Sequence, residues 1–85
     1  MKTYVVERDF GAPVSEADLA ATIERMGPCL EQYGLNWVHS YFSCDRTRMV
    51  CIYEAPDAES VKNAQRSASA SFDRIWPADI LRDAT

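Results

Sequence analysis

Asn36-Trp-Val-His-Ser-Tyr-Phe-Ser-Cys-Asp45-Arg-Thr-Arg-Met-Val-Cys-Ile-Tyr-Glu-Ala-Pro56 is the stretch that decides the fold. β-Branched and aromatic residues fill both arms and the polar run Asp45 to Thr47 interrupts them, the pattern of two strands joined by a tight turn. The hairpin carries the only histidine, His39, and two of the three cysteines, Cys44 and Cys51. Any chemistry is expected beside it.

Upstream, Lys2 to Phe10 alternates around Tyr4, Val5 and Val6 and closes on Glu7-Arg8-Asp9, which predicts a first strand. Ser15 followed three residues later by Asp18 resembles a capping box, with Asp in place of Glu, and opens a helix. Leu19, Ile23, Met26, Leu30 and Tyr33 recur at steps of four and three, so they share one helical face. Proline inside a helix costs about 3 kcal/mol. Because the stripe keeps its phase across Gly27-Pro28, a kink or two abutting helices is expected there rather than a loop. Gly34 reads as the stop. Downstream, Asp57 caps a second helix whose narrow face is Ala58, Val61, Ala64 and Ala68, and Ser67 to Ser71 forms its fraying exit. Asp73 to Leu81 returns as a last strand, placed at an edge or bulge because Pro77 has no N–H to donate. Residues 82–85 are a polar tail.

The order β, α, β, β, α, β predicts an α+β, ferredoxin-like domain spanning residues 1–85, a four-stranded antiparallel sheet with both helices on one face. The other face is left bare, and both hairpin strands are apolar on both sides. A homodimer pairing through that face, of the dimeric α+β barrel type, is therefore expected.

The 85 residues are 47% hydrophobic. With roughly 1.5–3 kcal/mol for each large apolar side chain buried, a core can form without staples. Nine basic against thirteen acidic residues leave a net charge of −4, and no two basic residues are adjacent. Nucleic acid is thereby excluded as the main partner, since neutralising phosphates requires clustered Lys and Arg; Arg46 and Arg48 read as solvated turn residues. No apolar segment approaches the ~20 residues of a membrane helix, so no membrane partner is expected. Three cysteines cannot all pair within one chain and the start lacks a signal-peptide pattern, so a cytoplasmic location is expected. Cys44 and Cys51 are not opposed in any short hairpin, and no disulfide between them is expected.

Four segments together resemble a family of small bacterial proteins described as nickel-binding or as a domain of unknown function. They are Tyr4-Val-Val-Glu-Arg-Asp-Phe10, Trp37-Val-His-Ser-Tyr-Phe-Ser-Cys-Asp45, Cys51-Ile-Tyr-Glu-Ala-Pro-Asp57 and Asp73-Arg-Ile-Trp76. The resemblance spans nearly the whole chain and implies a ferredoxin-like fold, a homodimer and nickel as the bound ion.

The residues themselves offer several sites. In a two-residue turn His39 lies opposite Glu54, and in a three-residue turn opposite Tyr53. A carboxylate neighbour would orient His39 as a general base, with Tyr41 or Tyr53 as proton donors; a polar pair near a dimer interface is the structural alternative. Alternation places Trp37, His39 and Tyr41 on one strand face, where a three-residue turn adds Cys51 and Tyr53. Those aromatics suit a pocket for a small, partly apolar ligand, with Trp37 and Cys51 as its walls, and equally a sheet core. Glu7 and Glu54 would join His39 as metal ligands if the strands align. One chain cannot supply two histidines, so a metal site gains from ligands of two subunits. The leading expectation is a homodimeric protein that binds a small ligand or a metal. The alternatives are a cofactor-free isomerase, cyclase or monooxygenase-like enzyme with a cleft centred on His39, and a regulatory interaction module.

Overall fold

The computed structural model describes residues 1–81; the polar tail 82–85 lies outside the described residues. Its elements are β1 (Lys2–Asp9), α1 (Glu16–Tyr33), β2 (Asn36–Phe42), β3 (Arg48–Ala55), α2 (Ala58–Ser67) and β4 (Arg74–Ala78). The strands form one antiparallel sheet in the order β2-β3-β1-β4. This is the ferredoxin-like arrangement that the element order predicts. β4 is an edge strand, where the missing N–H of Pro77 costs no interior ladder bond.

Both helices begin and end on local chemistry. Ser15 Oγ accepts the Asp18 N–H at 3.1 Å and opens α1, and Asp57 Oδ1 accepts the Ser60 N–H at 2.7 Å and opens α2. Gly34 closes α1 in the left-handed region at φ 71°, which glycine reaches without strain. α1 runs unbroken through Pro28, so the variant with two abutting helices is not what forms.

One face of the sheet carries the core. Tyr4 and Val6 of β1 and Met49, Cys51, Tyr53 and Ala55 of β3 pack against Met26 of α1 and against Val61 and Ala64 of α2. Small residues let α2 approach closely, and Val61 and Ala64 are fully buried. The two helices are tied to each other where Tyr33 shares a hydrogen bond with Ser67 at 3.2 Å and Arg25 Nε donates to the Ala68 carbonyl at 3.1 Å. No helix among the described residues is long and apolar enough to cross a membrane.

The hairpin tip is closed by Asp45. Its carboxylate accepts from the Ser43 and Thr47 hydroxyls, both at 2.7 Å, and from the Thr47 N–H at 3.1 Å. Arg46 takes φ 66° there, with its guanidinium 4.8 Å over the Phe42 ring and 3.7 Å from Glu16, so it is less free than a solvated turn residue. The hydrogen bonds from Ser43 and Thr47 hold the Asp45 carboxyl at about 2, below its ordinary 3.8. A depressed value in the folded state means that the stabilisation is complete above 3.8 and is lost as pH falls toward 2. The melting-temperature gap between wild type and Asp45→Ala, followed by circular dichroism, is therefore expected to be constant above about pH 5 and to close below it. A gap that persists unchanged in strong acid would contradict this account of the turn.

Candidate functional site

The β2–β3 register decides where each hairpin side chain faces. Trp37 pairs with Tyr53, but the next pairs are His39 with Ile52, Ser40 with Cys51 and Tyr41 with Val50, because a bulge between Trp37 and His39 takes up one residue. A bulge of this kind puts the side chains after it on the opposite face from strict alternation. His39 therefore does not stand opposite Glu54 or Tyr53, as the sequence suggests; Glu54 faces Asn36. Trp37 and His39 lie on opposite faces of the sheet. The expected cluster of Trp37, His39, Tyr41, Cys51 and Tyr53 is thus divided in two.

On the open face, His39 and Tyr41 border the strip formed by Ile52, Val50 and Val5, with Trp76 beyond it on β4. The His39 and Tyr41 rings meet edge to face, centroids 5.1 Å apart at 83°. His39 is exposed and Tyr41 is 67% exposed, whereas Val5 is already buried by its neighbours. Glu7 and Glu54 share this face but not a site. Glu7 is opposite Val50 and Glu54 is opposite Thr3, four residues apart, or about 13 Å along the strands. Glu7 is also occupied, accepting from Trp76 Nε1 at 2.6 Å. Among the described residues no three His, Cys, Asp or Glu side chains come together as a metal cluster.

On the helix face, Trp37, Cys51 and Tyr53 do come together. They line a slot of about 120 Å³ between α1 and the β2–β3 arm, with Leu19, Ile23 and Met26 as the helical wall. The slot exists because α1 covers this end of the sheet loosely: Met26 is its only buried residue. Trp37 is pinned as a side wall by the bond from its Nε1 to Ser40 Oγ at 2.8 Å.

Arg8 also lines the slot and is only 6% exposed. It reaches the core because Tyr4, Val6 and Arg8 alternate onto the helix face of β1. Its guanidinium donates to the Ser71 carbonyl at 2.9 Å, to Gln65 Oε1 at 2.6 Å and to the Tyr53 hydroxyl at 3.4 Å. Every one of those partners is neutral. Burial and the neighbouring Cys51 push the Tyr53 hydroxyl up to about 12 against the opposing pull of Arg8, so it remains a phenol. Gln65 is fully buried, and its amide nitrogen has no hydrogen-bond partner although it lies beside the same hydroxyl. The sequence places Arg8 in the charged end of the first strand and does not single out Gln65. Their signals were the two-residue alternation from Tyr4 to Arg8 and the step of four from Val61 to Gln65.

Fold and sheet order define a ferredoxin-like α+β protein whose helix face carries a slot and whose other face is uncovered. More narrowly, the chain belongs to the SCO4226-like family, described as nickel responsive protein SCO4226-like, whose model matches residues 4–77. Among the solved structures that resemble it is the crystal structure of SCO4226 from Streptomyces coelicolor A3(2). The two superpose with a TM-score of 0.83 at 12% identity, over 94% of this chain and 99% of that one, a likeness of fold. No curated protein matches in sequence.

Proposed function

We propose that the protein acts as a homodimeric binding protein in a nickel response, two copies meeting over the open sheet face and nickel held between them with His39 as its imidazole ligand. A nickel site inside one subunit does not suit this donor set, which offers one imidazole and no cluster of three donors among the described residues. Imidazole is nonetheless a ligand that suits nickel. The observation that carries the reading is the place of His39, exposed at the border of an apolar strip that a twin would cover. In a two-fold contact each residue near the axis meets its own copy, which doubles a single imidazole. The enzyme reading needs Glu54 against His39, and Ile52 stands there instead.

Light scattering is expected to give twice the 9.6 kDa chain mass. Titration calorimetry at neutral pH is expected to show one nickel ion shared by two chains, with uptake lost in His39→Ala while the dimer persists. A stable monomer would refute the pairing. Nickel binding of unchanged affinity in His39→Ala would refute the ligand.

A further inference from the structure

Arg8 is a buried cation without a counter-ion among the described residues. Neither ion pair among the described residues includes it, and guanidinium does not give up its proton in a protein. Asp18 lines the adjoining hollow on the other side of Arg8 yet forms no ion pair with it. Taking such a charge out of water costs several kcal/mol unless an opposite charge meets it. The three bonds it makes use three of the five N–H groups that a guanidinium offers. Beside it, the Tyr53 hydroxyl accepts from Arg8 and keeps a proton to give, and the Gln65 amide nitrogen is an orphaned donor. Arg8 thus lacks an anionic partner and the Tyr53 hydroxyl beside it retains a donor, with the Gln65 amide behind them outside the slot lining. Arg8 and Tyr53 both border the slot under α1.

We infer that this slot binds a small monocarboxylate with an apolar body, the carboxylate accepting from Arg8 and Tyr53 and the body lying against Leu19, Ile23, Met26 and Trp37. One guanidinium calls for one negative charge, and its planar fork matches a carboxylate. The remainder of the lining is almost wholly apolar, which selects a hydrocarbon body over a sugar or a nucleotide. Size narrows it further: an apolar cavity of about 150 Å³ takes a benzene ring, and this one measures about 120 Å³ and opens to solvent past the exposed flank of Ile23. The slot is too small to enclose benzoate whole: a short branched acid fits inside it, and benzoate fits with the far edge of its ring in the mouth at Ile23. The site is on the opposite face of the sheet from His39 and does not depend on nickel or on pairing.

Benzoate and its neutral isostere benzyl alcohol test this directly by titration calorimetry on the wild-type protein. Benzoate is expected to bind at least about tenfold more tightly, the usual worth of a charge-assisted hydrogen bond. In Arg8→Met the ratio is expected to fall to about one; such a swap of a buried charge for an apolar chain is often neutral for folding. Ile23→Trp, which leaves Arg8 intact and fills the mouth, is expected to abolish benzoate binding. Amide shifts on adding benzoate should be confined to α1, β2, β3 and the Arg8 end of β1. Equal affinities in the wild type, no measurable benzoate binding, or a benzoate affinity that survives both substitutions would each overturn the assignment.

Discussion

Gln65→Leu is expected to lower the melting temperature by about 8–16 °C, or roughly 2 kcal/mol for a chain of this length. Gln65 Oε1 takes the shortest of the three Arg8 bonds, 2.6 Å. Leucine fills nearly the same volume but leaves the guanidinium with a carbonyl and a long contact to a phenol. Removing one partner of a buried charge costs about 3–5 kcal/mol. Losing the orphaned amide nitrogen returns about 1–3 kcal/mol of that, which is why the net figure is smaller. If the charge is the cause, removing it as well should cure the defect. The double variant Arg8→Met with Gln65→Leu is expected to return to within about 1 kcal/mol of wild type, an interaction energy that a double-mutant cycle reads out. Thermal unfolding followed by circular dichroism measures all four proteins. A single variant as stable as wild type, or a double variant worse than the single, would show that the buried cation is not under strain.

Features set by neighbours in sequence are legible in this chain, and those set by long-range pairing are not. Helix limits were legible because they are local: Ser15, Asp57 and Gly34 act on backbone groups within a few residues. Sheet order followed from the rhythm of strands and helices, and the edge position of β4 from Pro77 alone. The faces of β2 were not legible. A strand apolar on one side announces its register, but Trp37 to Phe42 is apolar and aromatic on both sides, so nothing in the pattern marks the extra residue of the bulge. That one residue separates Trp37, which looks into the slot, from His39, which looks away from it. Arg8 was hidden for a different reason. Between Glu7 and Asp9 it reads as part of a solvated charged end, and only the long-range bonds to Gln65 and Ser71, nearly sixty and more residues away in sequence, show it to be interior.

Ile52→Lys is expected to weaken pairing of two copies by a thousandfold or more while leaving the subunit folded. Ile52 lies in the middle of the open face, opposite Val5 on one side and His39 on the other. In a lone subunit it is partly exposed, so a lysine there can carry its ammonium to water along its own stem. Once a second sheet covers the strip that route closes, and an unpaired ammonium must lose its hydration, a cost of several kcal/mol where each 1.4 kcal/mol is tenfold. Of the acidic residues on this face, Glu7 is engaged by Trp76, and Glu54 lies two residues along β3 from position 52 but is exposed at the rim. A pair with Glu54 would hold the ammonium at the wet edge and does not replace its hydration beneath a second sheet. Sedimentation across a concentration series would show a dimer for wild type and a monomer for Ile52→Lys, with unchanged far-ultraviolet dichroism. If the variant sediments as a dimer of wild-type affinity, the copies meet elsewhere, and His39 would be left in solvent on an uncovered face with no second imidazole to share a metal. The carboxylate slot beneath α1 would be untouched by that result, because its walls all come from the other side of the sheet.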